Sequence, residues 1–289
     1  MAQDHHIQSQ RFELKYIIEP PQALAVRDFV QSYLDLDEFG AEQPNCSYPV
    51  HSLYFDSPEL QLYHATINGD KNRVKLRLRF YNDDPDSPVF FEIKRRMNNI
   101  IFKQRGAVHR AAAEELLGGQ LPEPKHLIGS QPKHLVALQE FCRLQAELRA
   151  APRTHVAYLR EAWISPHDNS VRVTLDRDVR TEAAPDLEFS TKLMHPTSVF
   201  GRQVVLELKF TNQFPNWFGE LVRIFGLCQC GAAKYVDGVT LLDPRCVSRF
   251  CPGSTNVRRA QQRLAHRAKR RISPEFPADV PPLTVNSNL

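Results

Sequence analysis

The chain has 289 residues, a formal net charge of +4, and 42% apolar and 24% charged residues. This composition is typical of a soluble globular protein, and no stretch approaches the roughly 18 consecutive apolar residues that a membrane-spanning helix needs. The polar first ten residues lack the apolar centre of a signal peptide, so a cytoplasmic protein is expected. The length allows one large domain or two small ones.

The first half of the chain predicts strands that alternate with short helices. A strand at 11–18 is followed by a helix that opens at Pro20, with an apolar stripe of Leu24, Val26, Phe29, Val30 and Leu34. The later elements are a buried strand at 50–56, a short helix with Ser57 as N-cap and Pro58 in the first helical position, a strand at 73–81, and a hairpin of strands at 89–96 and 100–110 around Asn98–Asn99.

The strand at 73–81 is unusual because basic and apolar residues alternate strictly along it. Arg73, Lys75, Arg77 and Arg79 share one face, and the opposite face is apolar. Like charges two residues apart on one strand face lie only about 7 Å apart, so the row repels itself unless an anion lies along it. A solvated edge strand is the alternative interpretation.

The second half of the chain repeats this pattern before it becomes polar. Helices are predicted at 111–117, 133–149 and 215–225, strands at 154–163, 171–179, 187–194 and 204–210, and a short helix or turn after 232–235. Residues 1–250 are therefore expected to form the folded domain, and residues 251–289 a basic, disordered tail. Seven basic residues lie between Arg258 and Arg271, and we expect them to be solvated rather than bound to lipid or nucleic acid.

At least seven strands thus carry ionisable residues on one face and apolar residues on the other. Closing them into a barrel with the charged faces inward would satisfy both faces and remove the sheet edges. The basic residues then expected inside are Lys15, Arg73, Lys75, Arg77, Arg79, Lys94, Lys103, Arg105, Arg160, Arg172, Lys209 and Lys234. The acidic residues expected beside them are Glu13, Glu92, Asp176 and Glu207.

So many inward cations require a wet interior and a polyanionic ligand, because burying an unpaired ion costs several kcal/mol. Arginine and lysine suit phosphate oxygens, and the few carboxylates suit a divalent cation shared with phosphates. Glu207 is the first candidate metal ligand and Glu13 the second, with a salt bridge to a neighbouring basic residue as the alternative role for Glu207. The six cysteines are expected to be small core residues; zinc binding by Cys228-x-Cys230 with Cys246-x4-Cys251 has an unusual spacing.

Several short motifs, taken in order, resemble the catalytic domain of VTC-type polyphosphate polymerases, which are triphosphate tunnel metalloenzymes of the CYTH-like superfamily. The motifs are RFELKY at 11–16, SLYFD at 52–56, KLRLR at 75–79, FEIKR at 91–95, KQR at 103–105, YLR at 158–160, RVTLD at 172–176, LELKF at 206–210 and KY at 234–235. No single motif is specific, but their order and spacing together are. The resemblance covers about Arg11 to Gly238.

The resemblance implies an α+β fold with an eight-stranded antiparallel closed barrel and helices packed outside. It implies an enzyme that transfers the γ-phosphoryl group of ATP onto inorganic polyphosphate with Mn²⁺ or Mg²⁺. The residues expected to act in catalysis are Lys94, Arg77, Arg79 and Lys15. Those expected to bind substrate are Lys75, Lys103, Arg105, Tyr158, Arg160, Arg172, Lys209 and Lys234, with Glu207 and Glu13 at the metal.

Two departures from the family pattern bear on the activity. The first strand reads Arg11-x-Glu13-x-Lys15, where simpler tunnel triphosphatases carry glutamates at both earlier positions, and fewer carboxylates favour transfer over hydrolysis. Ala233 stands where the polymerases often have serine. A metal-dependent triphosphatase and a non-catalytic polyphosphate-binding module remain alternatives. The expected partners are ATP, polyphosphate and a membrane protein, but no nucleic acid, and the location is cytoplasmic or peripheral at the inner face of a membrane.

Overall fold

A single antiparallel sheet organises the chain in a computed structural model that describes residues 11–98, 100–166 and 170–242. The strands are β1 (Arg11–Ile18), β2 (Asp35–Leu36), β3 (Tyr48–Asp56), β4 (Asn72–Phe80), β5 (Val89–Met97), β6 (Ile100–Val108), β7 (Ala151–Ile164), β8 (Val171–Ala183), β9 (Thr197–Ser198) and β10 (Val204–Thr211). The α-helices are α1 (Pro20–Val30), α2 (Glu38–Ala41), α3 (Gln61–Ile67), α4 (Ala113–Leu117), α5 (Pro132–Glu147), α6 (Asn216–Ile224) and α7 (Lys234–Leu242).

The strands follow the order β2-β7-β3-β4-β5-β6-β1-β10-β8-β9, and β7 also pairs with β8. Every strand pair in the described sheet is antiparallel, which confirms the predicted α+β class with an antiparallel sheet. The described sheet has ten strands rather than eight, because β2 and β9 are additional strands of two residues each. A continuous closed barrel is not confirmed, because β1 and β6 pair at one position, Arg11 with Ile101.

Helices cover the apolar face of the sheet, as the alternating sequence pattern requires. One core cluster joins the apolar side chains of β3, β4 and β5 to α4 and α5, with Phe55, Phe91 and Phe141 in edge-to-face contact. A second cluster joins β1, β8 and β10 to α1 and α6. In each cluster every second side chain of a strand is buried under the helices. The side chains between them therefore lie on the opposite face of the sheet.

The last described helix, α7, packs on the face opposite to these two clusters. Tyr235 stacks on Tyr54 with ring centroids 4.9 Å apart, and Val236 and Val239 join a cluster with interior residues of β7, β8 and β10. Gly238 allows this close approach, because a Cβ there would lie 2.9 Å from the Thr181 hydroxyl oxygen. The helix therefore occupies part of the space in front of the charged face and delivers Lys234 to it.

Several predicted local features differ from the structure. The helix after β3 begins at Gln61, because the Asp56 carboxylate and Ser57 hydroxyl accept from backbone N–H groups and hold residues 57–60 in a turn. Leu24 of the predicted α1 stripe is 52% exposed. The predicted strand at 187–194 is absent, and the two-residue β9 follows it instead.

Of the four cysteines that the structure describes, Cys142 packs against the first core cluster as predicted, whereas exposed Cys228 does not have a core role. Cys46, Cys142 and Cys230 are half-buried, and Cys228 is exposed. The N-terminal residues 1–10, the tail at 251–289, and the remaining two cysteines lie outside the described residues. No helix in the described part is long and apolar enough to cross a membrane.

Candidate functional site

The ionisable side chains on the face opposite to the two core clusters lie close together, and most of them are joined by ion pairs into a network. Its cations come from six strands and from α7: β1 (Lys15), β4 (Lys75, Arg77, Arg79), β5 (Lys94), β6 (Lys103, Arg105), β7 (Arg160), β10 (Lys209) and α7 (Lys234). Its carboxylates are Glu13, Glu92, Asp176 and Glu207, so cations outnumber carboxylates by ten to four among these residues. The structure thus brings ten of the twelve predicted inward cations, all except Arg73 and Arg172, to one face of the sheet.

The Glu92 cluster is the most cationic part of the network. The buried Glu92 carboxylate, 1% exposed, contacts Arg77 (Nη2–Oε2 2.6 Å) and Lys103 (Nζ–Oε1 2.8 Å). Arg105 and Arg79 lie 3.5 and 3.9 Å from it. Burial opposes ionisation of Glu92, but these four cations outweigh it and hold the Glu92 pKa well below its usual range. One carboxylate thus balances four cations, and the excess can attract an anion.

Two guanidinium groups of this cluster hold buried donors that make no good hydrogen bond within the protein. The buried Nε atom of Arg79 has no hydrogen-bond partner among the described residues, and that of Arg105 makes only the 3.5 Å ion-pair contact with Glu92. A buried donor without an acceptor is costly, and a phosphate oxygen would satisfy it with a charge-assisted bond. The cluster is therefore chemically suited to a phosphate group.

A second cluster, here called the carboxylate cluster, is built around Glu13, Glu207 and Asp176. Lys15 bridges Glu13 and Glu207 at 3.0 and 3.1 Å, and Lys234 bridges Glu207 and Asp176 at 3.0 and 2.6 Å. The remaining cations of the cluster are Lys94 on Glu13 at 2.6 Å, Lys209 on Glu207 at 2.6 Å, and Arg160, which forms a two-bond pair with Asp176. The salt-bridge role considered for Glu207 is thus present, while metal binding stays a prediction.

The pKa values of the carboxylate cluster follow from these pairs. Burial would raise the pKa of Glu13, but Lys15 and Lys94 outweigh burial and lower it far below its usual range. Burial would lower the pKa of Lys15, but Glu13 and Glu207 raise it. Both groups are therefore charged at neutral pH, and the cluster is a salt-bridge network rather than a proton-sharing pair.

Two lysines of the network have pKa values close to neutrality. Burial, reinforced by the neighbouring charges of Lys15 and Lys94, lowers the pKa of Lys75 to about 7. Partial desolvation beside Arg79 and Arg77 also lowers the pKa of Lys103 to about 7, although Glu92 opposes the shift and the side chain stays 41% exposed. Lys75 makes no ion pair in the described part of the chain. Its ammonium group is therefore available to an incoming anion.

Tyr158 connects the two clusters. Its hydroxyl accepts a 3.2 Å hydrogen bond from Arg79, and its ring lies 5.2 Å from the Arg160 guanidinium and 5.0 Å from the Lys234 ammonium. The ring faces the cations in the geometry of a cation–π contact. Tyr158 therefore holds Arg79, Arg160 and Lys234 in fixed positions relative to one another, which fits the orienting role that the family resemblance implies.

Arg172 is the predicted site residue that the structure places apart from both clusters. Its guanidinium donates to Asp37 at 2.9 Å and lies 3.5 Å from the Tyr48 hydroxyl. Asp37 also accepts from Tyr48 and from the Gly40 backbone N–H. Arg73 is also separate, because its guanidinium donates to the Asp70 carbonyl oxygen at an exposed position.

The carboxylate cluster fits a divalent metal only in one way. In the described residues no group of three or more His, Cys, Asp or Glu side chains is arranged to hold a metal ion. The zinc alternative also needs Cys246 and Cys251, which lie outside the described residues. Glu13 and Glu207 nevertheless present oxygen atoms to one shared ammonium, that of Lys15. Mg²⁺ and Mn²⁺ are commonly held by one or two carboxylates plus substrate phosphates, and these residues fit that arrangement.

Sequence reasoning missed two side chains of the site, Tyr54 and Asp37, and one shared contact of Asp176. Tyr54 accepts a 2.9 Å hydrogen bond from Arg77, and although burial would raise its pKa, Arg77 and Arg79 lower it. Asp37 fixes Arg172 from outside the predicted strands. Asp176 was expected to face inward but not to share Lys234 with Glu207. Tyr54 could have been found from the sequence, because the alternation along its strand places it on the inward face, two residues before Asp56.

Comparison with known proteins identifies the chain by family. The family model described as VTC domain matches residues 10–243. No curated protein matches the chain. Solved structures that match include a candidate adenylate cyclase from Bacillus halodurans, with 11% sequence identity and a TM-score of 0.42 over 78% of this chain and 94% of that chain. A likeness this distant carries no inference about activity.

Proposed function

This chain belongs to the VTC domain family, and from that premise we propose that it is a polyphosphate polymerase that uses ATP as phosphoryl donor. The observation that supports this most directly is the Glu92 cluster, in which four cations surround one buried carboxylate. Phosphoryl transfer depends on positioning and on neutralising phosphate charge rather than on covalent chemistry. A cation-rich interior with few carboxylates is suited to that task.

The proposal includes a tunnel formed by closure of the sheet around the two clusters. The pairing of β7 with both β3 and β8 supports closure on one side. The ion pair between Lys94 of β5 and Glu13 of β1, at 2.6 Å, supports closure on the other side, where the backbone ladder is short. A substrate chain would then be enclosed by cations from all around the sheet.

In the proposed reaction a terminal phosphate oxygen of the polyphosphate chain attacks the γ-phosphorus of ATP. The new P–O bond forms as the bond between the γ-phosphorus and the β–γ bridging oxygen breaks, so that ADP leaves and the chain grows by one phosphate. In this proposal Arg77 and Arg79 bind the transferred group, and Lys94 and Lys15, which both pair with Glu13, add positive charge beside it. These side chains stabilise the negative charge on the equatorial oxygens.

Glu207 and Glu13 would hold Mn²⁺ or Mg²⁺ together with phosphate oxygens. A divalent cation bound there supplies neutralisation of charge on the donor phosphates. Lys15 contacts both carboxylates, and it would have to move towards the substrate when a metal takes its place. Lys75, Lys103, Arg105, Arg160, Lys209 and Lys234 bind the remaining phosphates in this proposal, and Arg172 contacts them at the edge of the site.

The test is to incubate the purified chain with ATP and Mn²⁺ and to separate the products on a polyacrylamide gel. Long polyphosphate and ADP are expected. ADP and orthophosphate alone would replace the polymerase proposal with a triphosphatase, and tight polyphosphate binding without turnover would replace it with a binding module. Lys94→Gln should abolish product formation. Arg95→Gln is the matched control, because Arg95 is the next residue of β5 and pairs with Glu140 on the opposite face.

A further inference from the structure

Four aromatic rings outside both clusters form a continuous row. Phe39 contacts Tyr48 (ring centroids 5.8 Å apart), Tyr48 contacts Tyr81 (6.3 Å), and Tyr81 contacts Phe90 (5.9 Å). The rings are inclined to one another by 58–74°, so each presents part of a face rather than stacking completely on its neighbour. We call these four residues the aromatic row.

The aromatic row lies at one end of the charged face. Tyr48 is the first residue of β3, Tyr81 directly follows β4, and Phe90 is near the start of β5, which places all three at the same end of neighbouring antiparallel strands. These three side chains lie on the same face of the sheet as the inward charged residues; Phe90, for example, is directly opposite Arg79 on the neighbouring strand. Tyr235 of α7 stacks on Tyr54, at the other end of β3. The row therefore borders the end that α7 does not occupy.

The row is accessible, and it adjoins cations. Phe39 is 58% exposed, and the other three rings are half-buried rather than part of the sealed cores. The guanidinium of Arg105 lies 3.5 Å from the centre of the Phe90 ring, and it also belongs to the Glu92 cluster. The Tyr48 hydroxyl donates a 3.0 Å hydrogen bond to the Asp37 carboxylate, which holds the ring in position. A surface of aromatic rings thus continues directly from the proposed phosphate site.

We propose that the aromatic row binds the base of a nucleoside triphosphate whose phosphates lie in the Glu92 cluster. An aromatic face stacks on a nucleobase whatever its hydrogen-bonding edge, and an adjacent arginine extends that surface. Inorganic polyphosphate has no base, so the row would distinguish the nucleotide donor from the growing chain. This inference rests on the proposed phosphate-binding interior, but it does not require polymerase turnover.

The test measures binding rather than turnover. The dissociation constants of ATP and inorganic tripolyphosphate, each with Mg²⁺, are measured by calorimetry for the unmodified chain and for the double variant Phe39→Leu/Tyr81→Leu. Leucine keeps an apolar side chain but removes the flat ring. Tyr33→Leu is the matched control, because Tyr33 is a 42% exposed tyrosine that stacks on Trp217 outside the site.

We expect the double variant to bind ATP about tenfold more weakly and tripolyphosphate within about twofold of the unmodified chain, which corresponds to the loss of a base–aromatic stack. An equal loss for both ligands, or no loss for either, would overturn the inference. In the unmodified chain, saturation-transfer NMR should show the adenine H2 and H8 protons in contact with protein, and absence of that signal would also overturn it. A selective loss of ATP affinity supports the inference even if no polyphosphate is made.

Discussion

Replacing Glu92 with glutamine should destabilise the protein while strengthening its affinity for phosphate. Arg77 contacts Glu92 at 2.6 Å and Lys103 contacts it at 2.8 Å, so the variant leaves mutually repelling cations without their shared counter-ion. Removing one partner of a buried ion pair costs about 3–5 kcal/mol. The side chains of Lys103 and Arg105 are 41% and 37% exposed, so solvent reduces the cost towards about 3 kcal/mol.

Thermal unfolding measures this effect. For a folded unit of this size, a loss of about 3 kcal/mol lowers Tm by roughly 6–12 °C. Tripolyphosphate supplies the missing negative charge, and it should therefore raise Tm by more in Glu92→Gln than in the unmodified chain. Salt at 1 M, where the screening length is about 3 Å, should also recover part of the loss.

Glu140→Gln provides the control for this experiment. Glu140 pairs with Arg95 and Arg143 on the outer surface, where their side chains are 39% and 57% exposed. An exposed pair contributes about 0–1 kcal/mol, so the control variant should unfold close to the unmodified chain with or without tripolyphosphate. The argument that Glu92 restrains an excess of cations would be wrong if Glu92→Gln had the same Tm as the unmodified chain. It would also be wrong if tripolyphosphate raised the Tm of Glu92→Gln by no more than it raises that of the unmodified chain.

Three further predictions follow from the same network. Because the pKa values of Lys75 and Lys103 are lowered to about 7, both amines lose charge as pH rises from 6 to 8, and tripolyphosphate affinity should fall over that range. Calorimetry in two buffers should detect proton uptake on binding. Lys75→Gln should reduce both the pH dependence and the proton uptake. Glu207→Gln should raise the Mn²⁺ concentration for half-maximal ATP consumption by at least about tenfold, whereas an unchanged value would leave Glu207 only its salt bridges. Asp56→Asn should cost about 2–3 kcal/mol in denaturant unfolding, because Asp56 accepts three backbone N–H groups and the Tyr235 hydroxyl; Tyr235→Phe should cost less, and equal stability of Asp56→Asn would refute the assignment.

The sheet could be predicted from the sequence because its two faces differ so strongly. Strict alternation along β4 and β10 fixes which side chains of each strand share a face. In the structure Arg77 is directly opposite Glu92 on the neighbouring strand, and Lys15 is directly opposite Glu207, so each pair lies on the same face. Local polar competition explains the main error in the helices. The Asp56 carboxylate and the Ser57 hydroxyl bind backbone N–H groups, which delays the helix start to Gln61.

The pairing of charges across the site could not be predicted in the same way. Periodicity says that Glu92 faces inward, but not that Lys103 and Arg105 of the next strand contact it, because that depends on strand order and register. The contact of Asp37 with Arg172 is still less accessible, since 135 residues separate them in the chain. The aromatic row likewise combines residues from a short helix, two strands and a turn.

Because Lys234 lies on α7 and not on a strand, a bound ligand should also affect this helix. Among the described residues of the network, Lys234 alone is carried by a helix, and its ammonium group reaches Asp176 and Glu207 on two strands. A polyanion that engages this ammonium would fasten α7 to the sheet as well as occupying the interior. Amide hydrogens along α7 should then exchange more slowly with solvent when phosphate is bound, so that the helix acts as a built-in reporter of occupancy.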